Sequence, residues 1–191
     1  MHTFDDPFSI RVNRVRLYRT ASVQVLQRHK HLISTCAKKR LYDAFLLSCL
    51  SYCPIIWDYC GKRNSDKLEW INESCFRLIF NEYHSSYDKL LNNINRPSLH
   101  NRRIHDMLTL VYKSFHGLAS SYINELLIER NSSYNLRGKH SHSIPRVQST
   151  KCGLHSFCYS ASKYWNMLPE VPKTAESLHV FKSKIKSINN R

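Results

Sequence analysis

The longest apolar run in the chain, residues 41–61, carries hydrophobic side chains on two helical faces. One face follows the i, i+3, i+4 spacing of an amphipathic helix and consists of Leu41, Ala44, Phe45, Ser48, Cys49 and Tyr52. The other face is largely filled by Leu46, Leu47 and Leu50. Because a helix that is apolar on two sides is buried on two sides, the pattern predicts a central core helix. Asp43 and Pro54 leave the run short of the about 20 residues that a membrane span needs.

Amphipathic periodicity predicts further helices along the rest of the chain. One is expected from Ser65, as its N-cap, to Asn81, which ends it, and a short helix follows Ser86. The third long helix is predicted from about Leu99 to Phe115, with Gly117 placed to end it. Three more helices are predicted at residues 122–128, at 157–168 before Pro169, and at 178–188.

Charge is the strongest signal in the composition. The chain has 29 Lys+Arg and 14 Asp+Glu, a formal net charge of +15. Residues 130–191 contain eleven basic residues and two acidic ones, and residues 11–40 contain nine basic residues and no acidic one. This excess favours a polyanionic partner, either nucleic acid or an acidic membrane surface, over a basic protein without such a partner. Residues 1–35 fit a basic arm that contacts phosphates and equally fit the scar of a truncated reading frame.

Seven cysteines are scattered along the chain, and the N-terminal segment MHTFDDPFSI lacks the basic start of a signal peptide. An odd number of cysteines without a secreted framework favours thiols in a reducing intracellular compartment, with the nucleus as one candidate.

Short phrases kept in one order carry a family resemblance. They are LYDAF at 41–45, YCPIIW at 52–57, SSYDKLL at 85–91, SLHNRR at 98–103, YNLR at 134–137, TKCGLHSF at 150–157, WNMLP at 165–169 and FK at 181–182. With these phrases in order over about residues 26–188, the chain resembles the C-terminal region of LINE-type (non-LTR, Jockey-like) retrotransposon reverse transcriptases, which are RNA-directed DNA polymerases.

That resemblance has consequences for fold and function. In the family this region follows the polymerase fingers and palm and looks like the thumb plus a post-polymerase helical segment. It implies RNA or an RNA–DNA hybrid as the partner, and the missing palm as a second one. It supplies no catalytic residue and no cofactor for this chain, since Mg²⁺ belongs to the intact parent polymerase.

The sequence contains one stretch that approaches a polymerase motif. A reverse-transcriptase palm carries an aromatic-x-Asp-Asp turn, whereas Phe4 stands directly before Asp5 and Asp6. No palm sequence surrounds this stretch, so we expect no polymerase chemistry from the chain itself.

Cysteine and histidine residues raise zinc as an alternative. A site could be assembled from residues in the C-terminal part of the chain, namely His140, His142, Cys152, His155 and Cys158. Their spacing differs from the tight pairs of zinc knuckles, and Cys49 and Cys53 are more simply buried thiols. We therefore predict no metal site.

Basic residues interleaved with aromatic ones are the candidate nucleic-acid contacts. The predicted set is Arg102, Arg103, Tyr134, Arg137, Lys139, Arg146, Lys151 and Lys163. Arg and Lys would neutralise phosphates, and Tyr134, beside Arg137 in a polar loop, is the candidate for base stacking. Arg102 and Arg103 are expected to face solvent. For Phe157, Tyr164 and Trp165, a place in the core of an amphipathic helix is the favoured interpretation.

Together these observations predict a mainly α-helical protein, an irregular helical bundle with a basic, loop-rich C-terminal segment. The predicted segments are 1–35, a helical thumb-like region at 36–129, and a basic post-polymerase segment at 130–191. The expected function is RNA or template-primer binding without catalysis. The alternatives are a co-opted helical protein-interaction module and, since lysines flank an apolar face at 178–188, a membrane-surface role.

Overall fold

The structure is a computed structural model that describes Gln24 and residues 27–29, 31–51, 62–130, 141–148 and 156–189. Several sequence predictions lie outside the described residues. They concern almost all of the basic arm, the Phe4-Asp5-Asp6 stretch, residues 52–61 of the apolar run, and the segments 131–140 and 149–155.

The prediction of a mainly helical protein is confirmed. In chain order the helices are α1 (Thr35–Leu41), a π-helical segment (Tyr42–Leu47), α2 (Ser48–Ser51), α3 (Lys62–Phe80), α4 (Tyr87–Ile94), α5 (Leu99–Phe115), α6 (Ser121–Leu126), α7 (Phe157–Met167), α8 (Glu170–Lys173) and α9 (Leu178–Asn189). Within the described ranges, extended pairing consists of an isolated antiparallel bridge between Glu129 and His142. None of these helices is long and apolar enough to cross a membrane.

The chain divides into two compact units, one ending at His100 and one beginning at Asn101. The second unit takes residues from both predicted segments, since Met107 and Val111 share a buried cluster with Trp165 and Phe181. Each unit has its own apolar core and is described separately below.

In unit 1 the apolar run presents a different face to the core from the one predicted. Tyr42, Leu46 and Leu50 are buried, whereas Phe45 is 59% exposed and Ala44 is also exposed. The prediction that this helix is buried on two sides is therefore wrong over the described part of it. The physical reason is the π-helical segment Tyr42–Leu47. An α-helix has 3.6 residues per turn, so side chains four positions apart, such as Tyr42, Leu46 and Leu50, would move gradually around the helix axis. The wider π turn offsets that rotation and keeps the three side chains on one face.

A polar network runs through the unit 1 core. The Tyr42 hydroxyl donates to Asn72 Oδ1 at 2.5 Å, and Asn72 Nδ2 donates to the Tyr87 hydroxyl at 2.8 Å. The Tyr87 hydroxyl in turn donates to Glu69 Oε2 at 2.7 Å, while Glu69 Oε1 accepts from the His100 backbone N–H at 2.8 Å. Burial, together with the Glu69 carboxylate, raises the pKa of Tyr87 above its usual range. The network therefore satisfies polar groups that would be costly to bury alone.

An ion pair also joins distant parts of unit 1. Arg96 binds Asp43 with two parallel contacts, Nη1 to Oδ1 at 2.5 Å and Nη2 to Oδ2 at 2.8 Å. Its guanidinium also lies 5.9 Å from the centroid of the Tyr42 ring. The hydrogen bonds to Asp43 raise the pKa of Arg96. This bidentate geometry holds the start of the π-helical segment against the loop after α4.

Helix ends follow local sequence signals in most places. Ser86 is the N-cap of α4 and accepts from the Lys89 N–H, and Asn95 ends that helix in the left-handed conformation. Asn81, with φ of 56°, follows α3, as predicted, and Gly117, with φ of 65°, follows α5. Ser65, however, is not the N-cap of α3, because the helix begins a turn earlier at Lys62. Residues 62–64 include no helix breaker, so the nearest sequence stop is Gly61.

The core of unit 2 is rich in stacked rings. Phe115 stacks on Trp165 with ring centroids 5.0 Å apart, and Trp165 lies 5.8 Å from Phe181. Such pairs stabilise a fold by roughly 0.5–1.5 kcal/mol each beyond the area they bury. Aromatic contacts therefore help to hold helices α5, α7 and α9 to one another, within a cluster that also contains aliphatic side chains.

Candidate nucleic-acid interface

Helix α9 packs on α5 through a stacked ring pair in unit 2. The rings of Tyr112 and Phe181 lie 4.3 Å apart at an interplanar angle of 22°. The Tyr112 hydroxyl donates to the Ala175 carbonyl at 2.7 Å, which fixes the turn before α9. Buried Phe181 and Ile185 of α9 belong to the same cluster as Met107 and Val111 of α5. The polar side chains next to these apolar residues consequently lie along the line of contact between α5 and α9, which we call the seam.

Basic side chains from both helices line this seam. Arg102 of α5 and Lys182 of α9 are both close enough to Asp106 to lower the pKa of its carboxyl. Lys186, one turn along α9, lies close enough to His105 to affect its ionisation. Lys182 and Lys186 are exposed, and Arg102 is half-buried. We call this group of three cations, Arg102, Lys182 and Lys186, the α5/α9 basic face.

Two titratable residues sit within the α5/α9 basic face. Burial raises the pKa of Asp106 and outweighs the lowering by Arg102 and Lys182. Burial also lowers the pKa of His105, and the positive charge of Lys186 lowers it further. One acidic side chain, Asp106, thus lies near two cations, Arg102 and Lys182, and its negative charge is disfavoured by partial burial. The local charge is positive and can attract an anion.

Lys184, between the two exposed lysines, has a different role. Its Nζ donates to the carbonyl of Val171, the second residue of the short helix α8, at 3.0 Å. The ammonium therefore ties α9 to α8. We do not place Lys184 in the basic face.

The two adjacent arginines predicted to contact nucleic acid are in different environments. Arg102 belongs to the basic face, but Arg103 is only 4% exposed. The expectation that Arg103 faces solvent is wrong. The reason is its place on α5, where 103, 107 and 111 share one face at spacings of four, and Met107 and Val111 are fully buried. A side chain held in the core is not available to a phosphate.

The remaining predicted contacts are spread over the unit 2 sequence. Arg146 and Lys163 are both exposed. Four of the predicted residues lie outside the described part of the chain, namely Tyr134, Arg137, Lys139 and Lys151. The preferred interpretation of three aromatic residues is confirmed, because Trp165 is buried and Phe157 and Tyr164 pack against its cluster.

His142 is the described member of the proposed zinc set that is most deeply buried. Its Nδ1 lies 3.4 Å from the Ile128 carbonyl, and its Nε2 is buried with no hydrogen-bond partner. Burial lowers the pKa of His142, against the opposing effects of Ile128 and Glu129. Cys158 is half-buried, whereas His140, Cys152 and His155 lie outside the described residues. Within the part of the chain that the structure describes, no three His, Cys, Asp or Glu side chains are grouped as metal ligands.

The α5/α9 basic face contains residues that sequence reasoning did not combine. Lys182 and Lys186 were seen only as charges beside the last helix, and Asp106 and His105 were not singled out. A signal was present, since 102, 105 and 106 share one face of α5, and 182 and 186 share one face of α9. What the sequence does not contain is the pairing of α5 with α9, about 80 residues apart.

Comparison of the chain with protein-family models, with curated proteins and with solved structures finds no match.

Proposed function

We propose that this chain binds RNA or an RNA–DNA hybrid through the phosphate backbone, and that the α5/α9 basic face is a principal contact. The observation that carries the proposal is that Arg102 and Lys182 act on Asp106 and Lys186 acts on the adjacent His105, so cations of both helices lie near one turn of α5. These cations come from helices far apart in sequence, so the fold concentrates charge that is dispersed along the chain. Lysine and arginine side chains arranged in this way release counterions from a nucleic acid when they bind it.

Two further observations support a polyanion as the partner. The whole chain carries a formal net charge of +15. Arg146 and Lys163, also in unit 2, are exposed and can add peripheral contacts. Phosphate contacts of this kind carry no sequence information, so the proposed binding is not specific for base sequence.

The resemblance to LINE-type reverse transcriptases gives this binding a biological setting. We propose that the chain corresponds to the thumb and post-polymerase region, acts without catalysis of its own, and holds template and primer for a polymerase palm. A reducing intracellular compartment, with the nucleus as one candidate, belongs to the same proposal.

The experiment that tests the proposal measures binding of a fluorescent RNA and of a matched RNA–DNA hybrid as salt is varied. With three phosphate contacts, affinity is expected to fall about 40-fold for a duplex and about 20-fold for single-stranded RNA between about 50 and about 200 mM salt. Two variants, Lys182→Gln/Lys186→Gln and Arg102→Gln, remove charge from the basic face. The salt slope is the slope of the logarithm of affinity against the logarithm of salt concentration. Each neutralised contact is expected to reduce its magnitude by about one.

Lys89→Gln is the matched control, because Lys89 is exposed on α4 of unit 1 and does not belong to the basic face. It should leave the salt slope close to that of the parent protein. Equal slopes for the parent and the basic-face variants would remove this face from the interface. Lack of binding at low salt would overturn the proposed function as a whole.

A second candidate function is a helical protein-interaction module, and exposed apolar side chains favour it. In unit 2, Met167 is 71% exposed, Val171 65% and Ile128 67%. Large apolar side chains at the surface are typical of protein interfaces when they form one patch. Concentration-dependent association that is insensitive to salt and accompanied by no RNA binding would favour this function over the first.

A further inference from the structure

The outer face of α3 in unit 1 combines an exposed tryptophan with cations. Leu68, Ile71, Cys75 and Ile79 form the buried side of this helix. The opposite side carries residues spaced by three or four positions, namely Arg63, Lys67, Trp70, Ser74 and Arg77. Trp70 is 56% exposed although it has the largest apolar side chain on α3.

Most acidic side chains near Trp70 are already engaged. Glu73 pairs with Arg77 at 2.5 Å, and Glu69 accepts from the Tyr87 hydroxyl and the His100 N–H. Asp66 is exposed in the first turns of the helix, together with the cations of Lys62, Arg63 and Lys67. The end of α3 that leads to Trp70 is therefore net positive.

The spacing of these side chains suits a single strand of nucleic acid. Arg63 and Lys67 are separated by about 6 Å along the helix axis, and Lys67 precedes Trp70 by about 4.5 Å, at a rise of about 1.5 Å per residue. Side chains at these intervals can follow successive phosphates while the indole covers the face of a base. Aromatic platforms beside cations are the usual means by which proteins bind unpaired strands without sequence preference.

We propose that Trp70 is a stacking platform for an unpaired nucleobase, with Arg63 and Lys67 on the flanking phosphates of single-stranded RNA or DNA. This inference rests on the proposed function, because both require a nucleic acid partner. It goes further by placing a second contact in unit 1 and by naming an unpaired base as its ligand.

The test compares two short single-stranded probes of equal length, one an oligouridylate and the other an abasic oligomer with the same number of phosphates. Trp70→Ala is expected to weaken binding of the oligouridylate about 5- to 150-fold, the range that stacking of one base supplies. The same substitution should leave binding of the abasic oligomer unchanged. Trp70→Phe keeps a ring and is expected to recover part of the affinity.

Phe45→Ala is the matched control, because Phe45 is 59% exposed in the same unit and has no basic residue within four positions on α2 or the π-helical segment. It should bind both probes like the parent protein. Direct stacking should also quench tryptophan fluorescence on addition of oligouridylate, and Trp70→Phe should remove that quenching. Unfolding curves for each variant establish that Trp70→Ala remains folded.

The outcomes separate this inference from the proposed function. If Trp70→Ala binds oligouridylate as the parent protein does, the stacking platform is overturned. Salt-dependent binding of the RNA–DNA hybrid would then still support the proposed function. If the substitution instead abolishes self-association and leaves oligouridylate binding intact, Trp70 belongs to a protein interface and the inference fails.

Discussion

The side-chain amide of Asn166 pairs with the backbone of His142 through both of its polar atoms. His142 N–H donates to Asn166 Oδ1 at 2.9 Å, and Asn166 Nδ2 donates to the His142 carbonyl at 2.9 Å. The amide makes the two hydrogen bonds that a neighbouring β-strand would make to the backbone of His142. The opposite edge of the same segment forms the antiparallel bridge to Glu129. The segment around His142 is thereby fixed to helix α7, 24 residues further along the chain.

Replacement of Asn166 by alanine should destabilise unit 2. Asn166→Ala leaves the His142 N–H and C=O without this partner, which costs about 2–3 kcal/mol for two partly buried groups. Asn166→Asp keeps the acceptor but loses the donor, and should fall between alanine and the parent protein. Urea unfolding measures the free energies, with exposed Asn93→Ala as the control. A loss below about 0.5 kcal/mol for Asn166→Ala would show that water replaces the amide.

Unit 2 should lose stability on acidification because of His142. Burial lowers the pKa of His142 below its usual 6.5. A group with a depressed pKa in the folded state stabilises the fold above the unfolded pKa, and this contribution is lost as pH falls through the folded pKa. Unfolding free energy measured from about pH 7.5 downward should therefore decline, by at most about 1.4 kcal/mol per pH unit for this one proton.

His142→Phe should remove that part of the decline. A phenyl ring keeps the packing against Phe115, whose centroid lies 4.4 Å from the imidazole, and eliminates the buried Nε2 that has no partner. His105→Gln serves as the comparison, because burial and Lys186 lower the pKa of His105 in the same direction. An unchanged pH profile in His142→Phe would assign the decline to other groups.

Adjacent arginines on α5 should respond to substitution in opposite ways. Arg103→Gln removes a side chain that is 4% exposed and should cost more than about 1.5 kcal/mol of stability through lost packing. Arg102→Gln should leave stability nearly unchanged and reduce the salt slope of RNA binding. Urea unfolding and the salt titration, performed on both variants, measure the two effects. If Arg103→Gln alters only the salt slope, its guanidinium reaches the ligand after all.

Nucleic acid should bind more tightly as the α5/α9 basic face takes up protons. Burial raises the pKa of Asp106, so its negative charge is lost at a higher pH than for an ordinary aspartate. His105 becomes a cation only below its usual pKa of 6.5, since burial and Lys186 lower that pKa. Both changes make the face more positive as pH falls. Affinity at fixed salt is therefore expected to increase on acidification below pH 6.5.

The variant Asp106→Asn tests the same relationship at constant pH. It should increase affinity about 2- to 5-fold, as expected when one partly exposed charge beside a phosphate contact is removed. Glu125→Gln, at an exposed position on α6, is the control and should change little. Equal affinities of Asp106→Asn and the parent protein would show that the ligand lies away from this turn.

Features governed by neighbouring residues could be predicted from the sequence. The short helix after Ser86 and the turns at Asn81 and Gly117 depend on local backbone chemistry, and the structure confirms them. The pairing of Asn166 with His142 joins residues on separate elements, so no pattern of neighbouring residues in the sequence predicts it. Arg103 was expected to face solvent because it is charged, although it shares a helical face with the apolar residues Met107 and Val111.

The same distinction between local and long-range information applies to the candidate site residues. Arg102 was predicted from its charge alone, whereas Lys182 and Lys186 become its neighbours only when α9 folds onto α5. Helical periodicity places Trp70 outside the apolar stripe of Leu68, Ile71 and Cys75, but it does not indicate whether another part of the chain covers the indole ring.

The π-helical segment means that this part of the chain holds one residue more than an α-helix would need to make the same contacts. With Ala44 deleted, Tyr42, Leu46 and Leu50 would stand at i, i+3 and i+7, which is the ordinary stripe of a straight α-helix. We therefore expect unit 1 to tolerate the loss of exposed Ala44, with Tyr42 and Leu46 still directed into the core. Deletion of one residue from the middle of α3 should instead rotate half of its apolar face into solvent. Because of the extra residue, this helix can be shortened by one residue while the same side chains still face the core.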